Sequence, residues 1–162
     1  MNDQLPSKKK AIKLLFQNGC SARVVEHCEA VANVATAIAK ACKKKGLNVD
    51  VKLVEIGALL HDIGRSKTHS VHHAVIGVEI AKSLKLPDPV IAIIERHVGG
   101  GITSEEAKKL GWSIKDYSPQ TLEEKIVSYA DKLIEGSKRV PIKRTIKKFS
   151  KKLPQSSIEG IK

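Results

Sequence analysis

Apolar residues recur along this chain at intervals of three and four, the period of a helix with one face turned inward, and the pattern predicts about six to seven helices. Lys8 to Gln17 carries Ile12, Leu15 and Phe16 on one side and closes at Asn18-Gly19. Ser21 caps a longer stretch in which Val24, Cys28, Val31, Ala35, Ile38 and Cys42 follow at spacings of 4, 3, 4, 3 and 4. Asp50 opens a third helix, whose inner face is Leu53, Ile56, Gly57 and Leu60, with His61 and Asp62 in its last turn before Gly64. The fourth runs from His72 to Lys85, and Pro87-Asp88-Pro89 separates it from a fifth that carries His97 and is broken by Gly99-Gly100-Gly101. Thr103 with Glu106, and Thr121 with Glu124, have capping-box spacing and open a short helix to Gly111 and a last helix through Ile134. With no alternating stretch, no Asn-Gly hairpin and no internal repeat, the expectation is an all-α, single-domain helical bundle without a sheet.

Composition narrows the class. The 162 residues suffice for one core, and 41% hydrophobic with only 3% aromatic residues means a core of Val, Ile, Leu and Ala. No apolar run approaches the roughly 20 residues that span a bilayer, and the first residues lack a signal-peptide pattern, so the chain is expected to be cytoplasmic with no membrane partner. Cys20, Cys28 and Cys42 show no CxxC spacing and read as reduced packing residues. Lys and Arg outnumber Asp and Glu by 29 to 17, and Lys138 to Lys162 holds nine basic residues against one acidic, supplying 9 − 1 = 8 of the surplus 12. That divides the chain into a domain over 1–137 and a basic tail over 138–162, partly disordered or packed on the domain. The tail is either a solvated segment or a surface for RNA, although Phe149 is its one aromatic for stacking.

Five polar residues break the apolar pattern. His27 borders the stripe of the second helix, His61-Asp62 follow "ALL", His97 shares a face with Val90, Ile93 and Ile94, and Asp131 lies in line with Val127, Ala130 and Ile134. Imidazole and carboxylate are costly to bury unless paired or coordinated, so four separate segments carrying them point to a shared metal centre.

The residues "RVVEHCEAVANVA" at 23–35, "GALLHDIGR" at 57–65, "HHAVIGVEIA" at 72–81, "AIIERHVGGGI" at 92–102 and "EEKIVSYADKLI" at 123–134 resemble the HD superfamily of metal-dependent phosphohydrolases, with the HDIG motif intact at 61–64. More narrowly the chain is similar to small archaeal stand-alone HD-domain proteins. The resemblance implies a bundle of the HD-domain type in which His27, His61, Asp62 and Asp131 hold one metal. It places His73 and His97 where relatives with a second metal have further ligands, with Asp62 bridging both ions and acting in catalysis. His69 is a secondary candidate beside His73, and His72 is read as surface. One or two transition ions are implied, Mn, Fe, Co, Ni or Zn, with Mg as a further candidate. Hydrolysis of a phosphoester or phosphoanhydride in a small phosphorylated, nucleotide-like substrate would then proceed through a metal-activated water. Arg65, Lys67, Arg139 and Arg23 are the candidates for the substrate phosphate. Two other classes stand beside this one: a non-catalytic RNA- or nucleotide-binding module with a structural metal and a basic tail, and a regulatory partner of an RNA-modifying enzyme. No general acid is assigned among Glu55, Glu79 and Glu95, and the sequence does not fix the oligomeric state.

Overall fold

The computed structural model describes residues 5–99 and 101–141. Among these described residues seven α-helices follow one another: α1 (Lys8–Gln17), α2 (Ala22–Lys44), α3 (Val51–Leu60), α4 (His73–Ser83), α5 (Asp88–Glu95), α6 (Ser104–Leu110) and α7 (Leu122–Lys132). The protein is therefore all-α, as the apolar periodicity predicts. Caps lie where the sequence puts them, with the side chains of Ser21, Asp50, Thr103 and Thr121 each accepting a main-chain N–H of the first turn. Both capping boxes are formed.

The centre is α3, which packs against α1, α2, α5 and α7. Its sequence, VKLVEIGALL, has only two charged residues, Lys52 and Glu55, which mark its one solvent edge, and the rest of Val54 to Leu60 is buried. Each fully buried Leu or Ile there contributes about 1.5–3 kcal/mol of transfer free energy. A second, smaller cluster of Ala74, Val98, Ile102, Ala107, Trp112 and Tyr117 fastens α6 and the segment after it beside the ends of α4 and α5. No helix among the described residues is long and apolar enough to cross a membrane.

Three local departures bear on the site. First, α3 stops at Leu60, and Asp62 leaves helical geometry at φ −103° and ψ 19° before a 3-10 turn over Ile63–Ser66. His61 and Asp62 thus occupy a break, rather than a last helical turn. Second, α5 ends at Glu95 and His97 lies beyond it. Third, α7 ends at Lys132, and Ile134–Glu135 (β1) pairs antiparallel with Lys138–Arg139 (β2) around a Gly136-Ser137 loop, so the expectation of no sheet fails at this hairpin. Gly136 has φ 64°, which a two-residue hairpin loop with glycine first asks for. The boundary expected after 137 falls between the two paired strands, and Val140 N–H also donates to Leu133 O at 2.8 Å. The rest of the expected basic tail, 142–162, lies outside the described residues.

Candidate metal centre

His27 comes from the second turn of α2, His61 from the end of α3, Asp62 from the break that follows, His73 from the first turn of α4, His97 from just past α5, and Asp131 from the last turn of α7. The fold brings all six together. What lets α4 come so close is Gly64: a Cβ built there would lie 1.9 Å from His73 O and 2.7 Å from Gly77 N. The glycine of HDIG is thus a contact point between the 3-10 turn and the helix that delivers His73.

All four imidazoles are oriented in the same way. Nδ1 of His27 contacts Gly136 O at 2.7 Å, His61 contacts Ala58 O at 2.6 Å, His73 contacts Ser70 O at 2.7 Å and His97 contacts Ile94 O at 2.7 Å. A carbonyl oxygen only accepts, so each Nδ1 carries a proton and donates, and each Nε2 faces the centre. There Asp62 divides its oxygens. Oδ2 lies 3.3 Å from His27 Nε2 and 3.4 Å from His61 Nε2, while Oδ1 lies 3.1 Å from His73 Nε2 and 3.3 Å from His97 Nε2. Asp131 Oδ1 stands 3.0 Å from His27 Nε2 and 3.3 Å from His61 Nε2.

Two groups result, His27, His61, Asp62 and Asp131, and then Asp62, His73 and His97, each with donor atoms within 4.8 Å of one another. The second group fits a cation better than it fits itself. His73 and His97 present Nε2 to Nε2 at 2.9 Å, and with both protons committed to Nδ1 this is lone pair against lone pair. Asp62 Oδ1, buried between them, makes no aligned hydrogen bond despite the short distances. Three acceptors converging without a donor are what a divalent ion satisfies.

Electrostatics divides the site. Burial pushes the His97 imidazole down to about 4, so that ring is neutral. Burial also acts to lower His61 and His27, but Asp62 and Asp131 outweigh it for His61, and Asp131 does so for His27, leaving both above their usual value. The converse holds for the carboxylates: burial works to raise Asp62 and Asp131, yet the imidazoles, His61 foremost, hold both well below the usual range.

Around the centre lies a cleft of about 680 Å³. Arg23, Arg65, His69 and Ser70 line it, together with apolar Val24, Val71, Val98 and Ile134, as do His27, Asp62, His73, His97 and Asp131, while fully buried His61 lies behind them. Arg65 Nε sits 3.2 Å from Asp62 Oδ2 and its Nη1 donates to His69 O at 2.9 Å. Lys67 and Arg139, two of the phosphate candidates, are exposed and do not line the cleft. At three residues per turn, the 3-10 turn that carries Arg65 inward sends Lys67 away, and Arg139, on the outer strand of the hairpin, keeps its charge hydrated. His72 is exposed as read, but its Nδ1 accepts the Trp112 indole N–H at 2.8 Å. Glu55 and Glu95 pair with Lys52 at 3.5 Å and Lys115 at 2.9 Å, and neither they nor Glu79 line the cleft.

The sequence did not single out Gly136, Glu135 or Lys132. Gly136 supplies the carbonyl that fixes His27, and Glu135 lines the cleft beside it. A two-residue Gly-Ser loop between Glu135 and Lys138 is a hairpin signal that could have revealed both. Lys132 is buried and donates to His97 O at 2.7 Å and Ser128 O at 3.1 Å, with Asp131 Oδ2 at 3.7 Å. No pattern rule finds it, because a lysine after an inward-facing aspartate ordinarily points to solvent.

The family model of the HD domain matches residues 24–135. An uncharacterised protein of Methanocaldococcus jannaschii is 55% identical over 145 residues, 90% of this chain and 85% of that one. The tRNA (cytidine(56)-2'-O)-methyltransferase of Thermoplasma volcanium is 40% identical over 157 residues, 97% of this chain but 45% of the methyltransferase, so the chain spans under half of that relative. Among solved structures, the L. monocytogenes phosphodiesterase PgpH HD domain in complex with cyclic-di-AMP is similar in fold, with a TM-score of 0.58 at 22% identity, covering 94% of this chain and 91% of that one.

Proposed function

The chain belongs to the HD-domain family, and from that premise we propose that it is a metal-dependent phosphohydrolase cleaving a phosphoester or phosphoanhydride of a nucleotide-like substrate. The observation that carries this reading is Asp62, whose two carboxylate oxygens each face a different pair of inward-pointing imidazole nitrogens. His27, His61, Asp62 and Asp131 would hold one ion, and Asp62, His73 and His97 a second, from among Mn, Fe, Co, Ni and Zn, with Mg the harder alternative. Divalent ions supply an acidified water and offset the charge of the phosphoryl oxygens.

The chain's own residues do the rest. Each imidazole is anchored through Nδ1 to the main chain, so its tautomer and ring plane are set in advance. Arg65, held between Asp62 and His69 O, has the planar fork that suits a phosphate at the edge of the cleft, and Arg23 adds a second cation there. Val71, Val98 and Ile134 give apolar wall for a nucleoside, and the volume lies within the range of small-molecule sites, about 300–1,000 Å³. The cyclic-di-AMP held by the similar PgpH domain supports a nucleotide.

A second reading, in which the phosphate belongs to RNA and the chain binds rather than cleaves it, is favoured by the tRNA methyltransferase among the relatives and by the net charge of +12. One screen separates them. The Mn-loaded chain and Asp62→Asn are assayed against monoesters, cyclic dinucleotides, dinucleoside polyphosphates and short RNAs. Hydrolysis of one class, reduced at least about 100-fold in the variant, is the expected result. No turnover of any class, with RNA affinity that falls steeply with salt, would favour the binding module instead.

A further inference from the structure

A buried ammonium beside a metal centre is out of place unless it does something there, since lysine is among the residues least often fully buried. Lys132 follows Asp131 on α7, is 2% exposed, and reaches across to the segment that carries His97. His97 needs an anchor. Its ring is tied to Ile94 O, but its own main chain has left α5, whose cap at Arg96 already has φ −111°, so its carbonyl oxygen has lost the helix as a partner. Lys132 Nζ donates to that oxygen at 2.7 Å. Ser128, one turn earlier on α7, adds longer bonds from Oγ to His97 O at 3.3 Å and to Gly99 O at 3.4 Å. The same lysine lies 3.7 Å from Asp131 Oδ2 and so touches a member of each candidate metal group.

We propose that Lys132 is a positioning residue that holds the His97 subsite in register with the Asp131 subsite, so that the second ion depends on it and the first does not. This rests on the two-ion reading above. His27 and His61 keep their main-chain anchors when Lys132 is changed, because neither ring uses it, and Asp131, which loses only the 3.7 Å contact on Oδ2, keeps Oδ1 on both rings. His97 loses the strongest bond on its carbonyl and can drift out of reach of Asp62 Oδ1 and His73 Nε2.

The test is stepwise metal titration of the full chain with Mn or Ni, read as ions per chain by native mass spectrometry, on the wild type, Lys132→Met and Ser128→Ala, with circular dichroism as the check on folding. In Lys132→Met the second binding step should weaken by at least tenfold and the first by less than threefold. Ser128→Ala, which leaves the charge untouched, should weaken the second step in the same direction but less. Wild-type affinity for both ions in either folded variant, or equal weakening of both steps, overturns the proposal while leaving the two-ion reading intact. A wild type that takes up no second ion overturns both.

Discussion

The glycine of HDIG offers a graded test of how the fold sets the centre. In Gly64→Ala the added Cβ would lie 1.9 Å from His73 O, where ordinary contact begins at 3.4 Å, so about 3.4 − 1.9 = 1.5 Å of separation must open. The atoms it meets, His73 O and C and Gly77 N, are all main chain, and they can move only if α4 moves. Overpacking typically costs 1–3 kcal/mol, and with no side chain to yield we expect about 3 kcal/mol. With an m value of about 2 kcal/mol/M, the urea midpoint should fall by about 1.5 M. Gly57→Ala is the internal control. There the Cβ meets Cδ1, Cγ2 and Cβ of buried Ile93, side-chain atoms rather than main chain, and removing a mid-helix glycine returns about 0.5–1 kcal/mol, so the net cost should stay below that of Gly64→Ala, at about 1–2 kcal/mol. Because Gly64 abuts the residue that delivers His73, its variant should also lose metal at the second group, whereas Gly57→Ala should not. Urea unfolding and metal analysis on both variants provide the assay. A Gly64→Ala protein as stable and as metal-rich as Gly57→Ala would refute the argument that this contact fixes His73.

Other consequences can be measured independently. A chain ending after Ser137 loses β2 and with it the support of the Gly136 carbonyl on His27, so metal affinity at the first group should drop about 10–100-fold relative to a chain ending after Pro141, which keeps the hairpin, by calorimetry. Glu124 accepts from Arg96 Nη1 at 3.0 and 3.1 Å and from Gln120 N–H at 2.9 Å, so Glu124→Ala should cost about 3 kcal/mol in chemical denaturation, with an uncompensated Arg96 left behind. Without metal, His61 is held well above its usual 6.5, so its contribution to stability is full below 6.5 and is lost as pH rises through the raised value. A bound ion must displace that proton, so metal affinity should rise with pH, and Tm of the metal-free chain should fall above neutrality while that of the loaded chain does not. A metal-free Tm that climbs with pH there would contradict the assignment.

Helix positions were legible because they depend on short-range signals: the three-and-four spacing of apolar residues and side-chain caps such as Ser21, Asp50, Thr103 and Thr121. Five residues of the centre were legible as exceptions to that spacing and the sixth, His73, only through the family resemblance; the structure gathers all six. Illegible were the features that depend on where two distant segments meet. That α3 ends before His61 and gives way to a 3-10 turn follows from the approach of α4 to Gly64, which periodicity does not encode. The burial of Lys132 follows from its bond to the carbonyl of His97, 35 residues away, which no sequence pattern encodes. Lys67 and Arg139 were chosen for charge and sequence proximity alone, and geometry carried both away from the cleft.

The central claim is that Asp62 serves two metal groups at once, and elemental analysis of the tag-free chain beside Asp62→Ala tests it most directly. Two divalent ions per wild-type chain, and neither retained in the variant, is the result this account predicts. A wild type that holds no ion even after soaking in Mn or Ni, or a variant that keeps both, would contradict it.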